Sequence, residues 1–167
     1  MSQDYIPLAN VTLGSSASSI TFSNIPATYR DLILVVNGSP STNDYPVVTS
    51  RFNSDTGANY ERVRLGGSGS GSGGTSFAGG MDNLQLNSFF GLGSSSSSRF
   101  ALISQVMDYS ATNKHKTVLS RSGTNTDGVE ALSGRWANSS AITTWQVYTS
   151  SAAFASGTIF ALYGIVA

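Results

Sequence analysis

Few residues in this chain are equipped for chemistry. It has one histidine, His115, set between Lys114 and Lys116, and no cysteine. A zinc centre needs several imidazole or thiolate ligands, so His115 reads as an exposed strand residue, or as a contact at an interface. Without thiols there is neither a disulfide framework nor a thiolate metal site, and the redox compartment stays open. Asn53, Asp55 and Asn59, with Asp44 in the preceding loop, offer oxygens to a calcium ion, but the D-x-[DN]-x-[DN]-G spacing of a calcium loop is missing. The same residues spell a turn, because Asp bonds its own backbone and Gly favours positive φ, and turn chemistry is the reading taken. Asp55-Thr56-Gly57 also matches the aspartic protease tripeptide. That reaction needs two carboxylates sharing a proton, and the tripeptide occurs once.

Arg51, Arg62, Arg64, Arg99 and Arg121 hold most of the basic charge. If they converged they would grip a phosphate or a carboxylated sugar; the reading taken is dispersed, solvated strand residues or pairs with Glu61 and Asp108. No segment interleaves basic and aromatic residues as a nucleic-acid platform does. Ser16, Ser70 and Ser97 sit in low-complexity surroundings, no G-x-S-x-G elbow occurs, and nothing places a serine beside His115. The glycine-rich run 66–80 lacks the Lys-Ser/Thr ending of a phosphate loop. No enzymatic activity, cofactor or metal is therefore expected. Trp136, Trp145 and the seven tyrosines suit a core or a subunit interface ahead of a shallow sugar-binding face.

Composition points the same way. Charged residues make up 11% of the chain, against roughly 25% in a typical soluble domain, while it carries 30 Ser and 15 Thr. Formal net charge is zero, so electrostatic steering toward nucleic acid or anionic lipid gains little. Little repulsion keeps copies apart either, and stable assembly is expected ahead of a monomer kept soluble by hydroxyls. Residues 1–14 have Asp4 where a signal peptide carries positive charge, and no run approaches a membrane span. Signal-peptide export and membrane insertion are not expected.

The elements that would position these residues are strands. Leu32 to Val36 is a continuous apolar run with three β-branched members, closed by Asn37-Gly38. Apolar on both faces, it must be covered on both, by a second sheet and by a loop or a neighbouring subunit. Residues 158–166 share that character, and the two runs are expected to be adjacent interior strands. Further strands are expected at 5–13 (an edge strand, given Pro7), 17–22, 47–52, 60–65, 83–90, 99–109, 114–121, 129–136 and 142–149, with 99–109 and 114–121 forming a hairpin. In strand 60–65 the arginines alternate with Glu61, Val63 and Leu65 and share the opposite face. Glycine density marks 66–80 as a flexible excursion, held if at all by Phe77, and 91–98 repeats the composition; the two are expected at the same end of the fold. Ten to eleven short strands and no long amphipathic helix predict an all-β, two-sheet antiparallel sandwich, jelly-roll-like, with long Gly/Ser-rich loops, formed by residues 1–167 as one domain.

Four segments carry a resemblance: FSNIPATYRDLILVVNG at 22–38, RFNSDTGANY at 51–60, YSATNKHKTVLSRSG at 109–123 and SGTIFALYGI at 156–165. Together they are similar to a group of small virion structural proteins of tailed bacteriophages. The resemblance spans nearly the whole length and brings no catalytic motif. It implies a β-rich structural subunit that decorates the capsid or belongs to the tail or its fibres. Its implied partners are copies of itself, as a trimer, and other virion proteins, within a particle assembled in the host bacterial cytoplasm. A fibre-type module that binds host surface glycan is the alternative.

Overall fold

The computed structural model describes residues 4–71 and 73–166, and in them the chain is all β. Twelve strands run in order: β1 (Tyr5–Thr12), β2 (Ser19–Phe22), β3 (Asp31–Gly38), β4 (Val48–Phe52), β5 (Tyr60–Ser68), β6 (Gly73–Met81), β7 (Leu84–Gln85), β8 (Phe100–Met107), β9 (Lys116–Thr124), β10 (Gly128–Trp136), β11 (Trp145–Thr149) and β12 (Ile159–Ile165). They form two antiparallel sheets, one of eight strands in the order β1-β12-β3-β8-β9-β10-β5-β6 and one of four in the order β2-β11-β4-β7. The two apolar runs are neighbours inside the larger sheet, with Phe160 opposite Val36 and Leu162 opposite Leu34. Leu32, Leu34 and Val36 point into the core, while Ile33 and Val35 point outward and are half-buried.

Between the sheets, Phe52 is the centre of an aromatic cluster. Its ring centroid lies 5.6 Å from Trp136, 5.4 Å from Trp145 and 6.3 Å from Tyr60. A buried indole needs an acceptor, and both have one: Trp145 donates to Ser50 Oγ at 2.8 Å and Trp136 to Asp55 Oδ2 at 2.7 Å. A second pair, Phe154 against Phe160, meets edge to face at 4.9 Å.

Within 66–80, residues 66–68 complete β5 and 73–80 supply most of β6, where a flexible excursion was expected, with Gly66 opposite Gly74 and Leu65 opposite Thr75. The glycines there serve packing, because the Phe89 ring packs against Gly66 and Gly74 on the inner side of this hairpin. A Cβ on Gly66 would come within 2.8 Å of the Phe89 ring, and one on Gly128 within 2.8 Å of Phe90. The expected strand 83–90 is correspondingly cut to Leu84–Gln85. Asn87 turns its side chain to the backbone, accepting from Val48 N and donating to Gly91 O. Ser88 N and Phe89 N then both donate to Glu130 Oε2, at 2.8 and 2.9 Å. Arg64 closes the arrangement, bonding Ser88 Oγ and standing 4.1 Å above the Phe89 ring. Residues 91–98 do form a loop, but Leu92 is fully buried, so the segment caps the core. Both glycine-rich segments gather at one end of the sandwich, where Gly128 faces Ser68 across the ladder and Ser94 N bonds Asp127.

Two outcomes test this packing. Glu130→Ala strands two part-buried amides and is expected to cost about 1–3 kcal/mol, with Glu130→Gln milder; hydrogen exchange should speed up at 86–92 before it does elsewhere. Burial, aided by the charge of Asp55, pushes the Tyr60 phenol from 10.0 up to about 12. The folded chain thus keeps a proton that the unfolded chain has lost, so this contribution is whole below pH 10 and fades as pH rises toward 12. Two units amount to ~3 kcal/mol. Denaturant titrations at pH 9 and pH 11.5 should show wild type losing more stability than Tyr60→Phe by roughly 2 kcal/mol, the part of that linkage expressed before the folded phenol itself titrates.

Candidate interaction surface

The residues with chemistry-capable side chains are scattered by the fold. His115 is exposed in the loop before β9. Asp55 serves the turn, accepting from Gly57 N, Asn59 Nδ2 and Trp136 Nε1 at 2.7–2.9 Å. Burial alone would raise its pKa; those hydrogen bonds outweigh it and hold the carboxyl below the usual value. Asn53 points elsewhere, bridging Ala141 O and the amides of Thr143 and Thr144, and Asp44 bonds Tyr45 N. The left-handed positions of this turn are Asn53 and Ser54, at φ 51° and 57°, and not Gly57. Among the described residues no group of three or more His, Cys, Asp or Glu is placed to hold a metal ion.

The arginines do not converge either. Arg51 pairs with Asp82 at 2.6 Å and Arg99 bonds the carbonyls of Ser97 and Ser98. Glu61 takes Arg135 and Asp108 takes Lys114, rather than the arginines expected to pair with them. Arg62 and Arg64, expected in solvent, point inward from β5, and Arg62 is buried. Burial, and after it the like charge of Arg64, lowers the Arg62 pKa, against which Glu130 acts. Lys116 is likewise buried, its Nζ donating to the carbonyls of Ala111, Lys114 and Ser139 at 2.6–3.2 Å. Burial lowers its pKa as well. Trp136 and Trp145, both in the core, are not placed to stack on a ligand.

What the fold does assemble is an apolar face. With the arginines of β5 turned inward, Val63 and Leu65 face out, 55% and 59% exposed, and Phe77 beside them is 69% exposed. Leu119 on β9 and Val129 on β10 join them at 45% and 65%. Cross-strand register makes the set continuous. One row runs Ile33, Gln105, Leu119, Ser133, Val63, Phe77 and the next runs Val35, Ile103, Arg121, Ala131, Leu65, Thr75. Seven strands laid flat would separate Tyr5 on β1 from Val63 on β5 by roughly 30 Å. Instead the sheet curls, and Tyr5, Ile33, Ile103, Leu119, Val63 and Leu65 line one concavity of about 490 Å³. Arg121, the single charge of these two rows, lines it together with Arg64.

The signal for this face was present in the sequence as the alternation of Val63 and Leu65 with two arginines. Ordinary amphipathic logic puts the apolar set inside. Here the inner positions are taken by Tyr60, against the aromatic cluster, and by Arg64, against Phe89, and parity then forces Val63 and Leu65 out.

No known family model matches the chain, and no curated protein does. Among solved structures it is similar to a protein of unknown function from Shewanella oneidensis MR-1, at 12% identity and a TM-score of 0.25, over 97% of this chain and 76% of the other. A likeness that weak carries no argument about either protein.

Proposed function

We propose that this chain is a non-enzymatic structural subunit of a phage virion, a capsid-decorating or tail-associated protein that assembles with copies of itself and with other virion proteins. The observation that carries the assembly part is the outer face of the larger sheet. A curved face this apolar exceeds what isolated surface hydrophobics account for and has the composition of a contact. Ile33 and Val35 add to the case: β3 is apolar on both sides, and its outer side is only partly covered by this chain. The phage context rests on the sequence resemblance.

A finer reading of the fold supports the same class. Leaving aside the hairpins β5–β6 and β9–β10, eight strands remain. The first pairs with the last (β1 with β12), the second with the seventh (β2 with β11), the third with the sixth (β3 with β8) and the fourth with the fifth (β4 with β7). A long two-stranded ribbon rolled up in this order is a jelly roll, the sandwich common in viral coats. The two inserted hairpins widen one sheet with β9, β10, β5 and β6.

Host-glycan recognition is less well supported. Shallow sugar sites use exposed aromatic platforms, and the tryptophans here are spent on the core.

Mass spectrometry and a cryo-EM map of purified particles test the virion assignment, which predicts the chain on the capsid or tail; a particle lacking it defeats the reading. For the face itself, Leu65→Ser with Leu119→Ser should change folding stability by no more than about 0.5 kcal/mol per site, since both are exposed. The same pair should lower particle incorporation or the light-scattering mass at least tenfold in apparent affinity. Unchanged incorporation would remove this face from the assembly.

A further inference from the structure

The two sheets have four free edges, and three are blunted. β2 is four residues long and β7 two. β1 carries Pro7 and a bulge between Pro7 and Ala9. Short strands, proline and bulges are the ordinary means of keeping a sheet edge from recruiting another chain. β6 has no such protection over most of its length. It is nine residues long, GGTSFAGGM, with no proline and no charged residue. Its one irregularity lies at the Met81 end, and Ala78 to Gly73 pair regularly with Arg62 to Gly67.

We propose that β6 pairs antiparallel with β6 of a second copy about a two-fold axis near Phe77, so that the larger sheet runs unbroken through both subunits. The inference rests on the reading of this chain as an assembling subunit and names one of its contacts. A strand can be its own antiparallel partner, which makes the contact closed and self-complementary. Charge permits it, because no ionised side chain of β6 would face its copy across the axis. Backbone approach is also open. Gly73, Gly74, Gly79 and Gly80 present no side chain, and even a Cβ on Gly80 would meet nothing within 4 Å. Phe77, fifth of the nine residues, stands on the outer face at the middle of the strand. A two-fold there brings both Phe77 rings, with Val63 and Leu65 behind each, into one patch.

Interface size sets the strength. A nine-residue strand is about 30 Å long, and an edge contact of that length with its flanking side chains buries roughly 900 Å² in all, just under the ~1,000 Å² below which an interface is weak or transient and well short of the ~2,000 Å² of permanent ones. The pairing is thus a reversible one in the micromolar range for the free subunit, consolidated when copies are held side by side. It produces dimers, or assemblies built from dimers, where the sequence resemblance implies a trimer.

Sedimentation equilibrium over a concentration series, with two variants, tests the inference. Wild-type protein should move from 17.4 kDa toward twice that mass. Thr75→Lys with Phe77→Lys places like charges beside the axis at exposed positions and should weaken dimerisation at least tenfold, with the far-ultraviolet circular dichroism unchanged. Since the chain has no cysteine, Phe77→Cys supplies a single thiol that should give a covalent dimer on mild oxidation, whereas Ala101→Cys, exposed on β8 and four strands away from β6, should not. A monomer at every concentration overturns the pairing, and so does a dimer or trimer whose mass ignores the two lysines and whose thiol at position 77 fails to cross-link. Either result leaves the virion assignment intact if the chain is found on particles; absence from particles would defeat that assignment without bearing on β6.

Discussion

An eight-stranded sheet has to be covered by a four-stranded one, and most of the unusual features of this protein answer that mismatch. The aromatic cluster around Phe52 fills the region where both sheets are present, and burying side chains of that size contributes about 3–5 kcal/mol each. Beyond β7 there is no opposing strand, yet β10 and β5 still turn Glu130, Leu132, Arg62 and Arg64 inward. The chain covers them with the loop from Leu86 to Ser98, in which Leu86 and Leu92 are fully buried. A loop over a core brings backbone amides with it, and an unpaired buried amide is expensive. Glu130 accepts two of them and Asn87 serves two further backbone groups. At the other end Lys116 meets the complementary need, satisfying three carbonyls that no strand reaches.

This division explains what was legible in the sequence. The two doubly apolar runs announced β3 and β12 as interior neighbours, because an edge strand so apolar would invite aggregation, even though the outward Ile33 and Val35 are only half-buried. The Pro7 edge strand was legible for an equally local reason, as was the role of Asp55 in its turn. Residues 66–80 were misread because glycine density signals chain entropy when taken alone. The partner that makes those glycines structural, Phe89, lies more than twenty positions from Gly66 and is brought there by Glu130, which is further still. Likewise Arg62 and Lys116 look like solvent residues by type; three carbonyls make an interior position tolerable for Lys116, while Arg62, whose Nε and Nη1 are buried without a hydrogen-bond partner among the described residues, has the opposing charge of Glu130 nearby.

Parity links the interior to the exterior. Because successive side chains of a strand alternate faces, seating Tyr60 in the aromatic cluster and Arg64 on Phe89 fixes Val63 and Leu65 on the outside. No local substitution reverses one without the other. The outer apolar face is thereby a necessary companion of how the inner face is closed, and the proposed contact with other subunits makes use of it.

Glycine adds a final constraint. The hairpin that carries much of this face is low in side-chain mass, since Phe89 must lie against Gly66 and Gly74. A strand with few side chains has little to gain from its own packing and loses much backbone freedom on ordering. Its pairing with β5 is favoured by the inner contact with Phe89, while its other edge offers unpaired backbone groups and its outer surface offers Phe77. Each such group gains by meeting another extended strand. The element least able to stabilise itself within one subunit is thus the one whose order a neighbour would most increase, and coupling of this kind lets assembly stiffen a subunit with no change in its core.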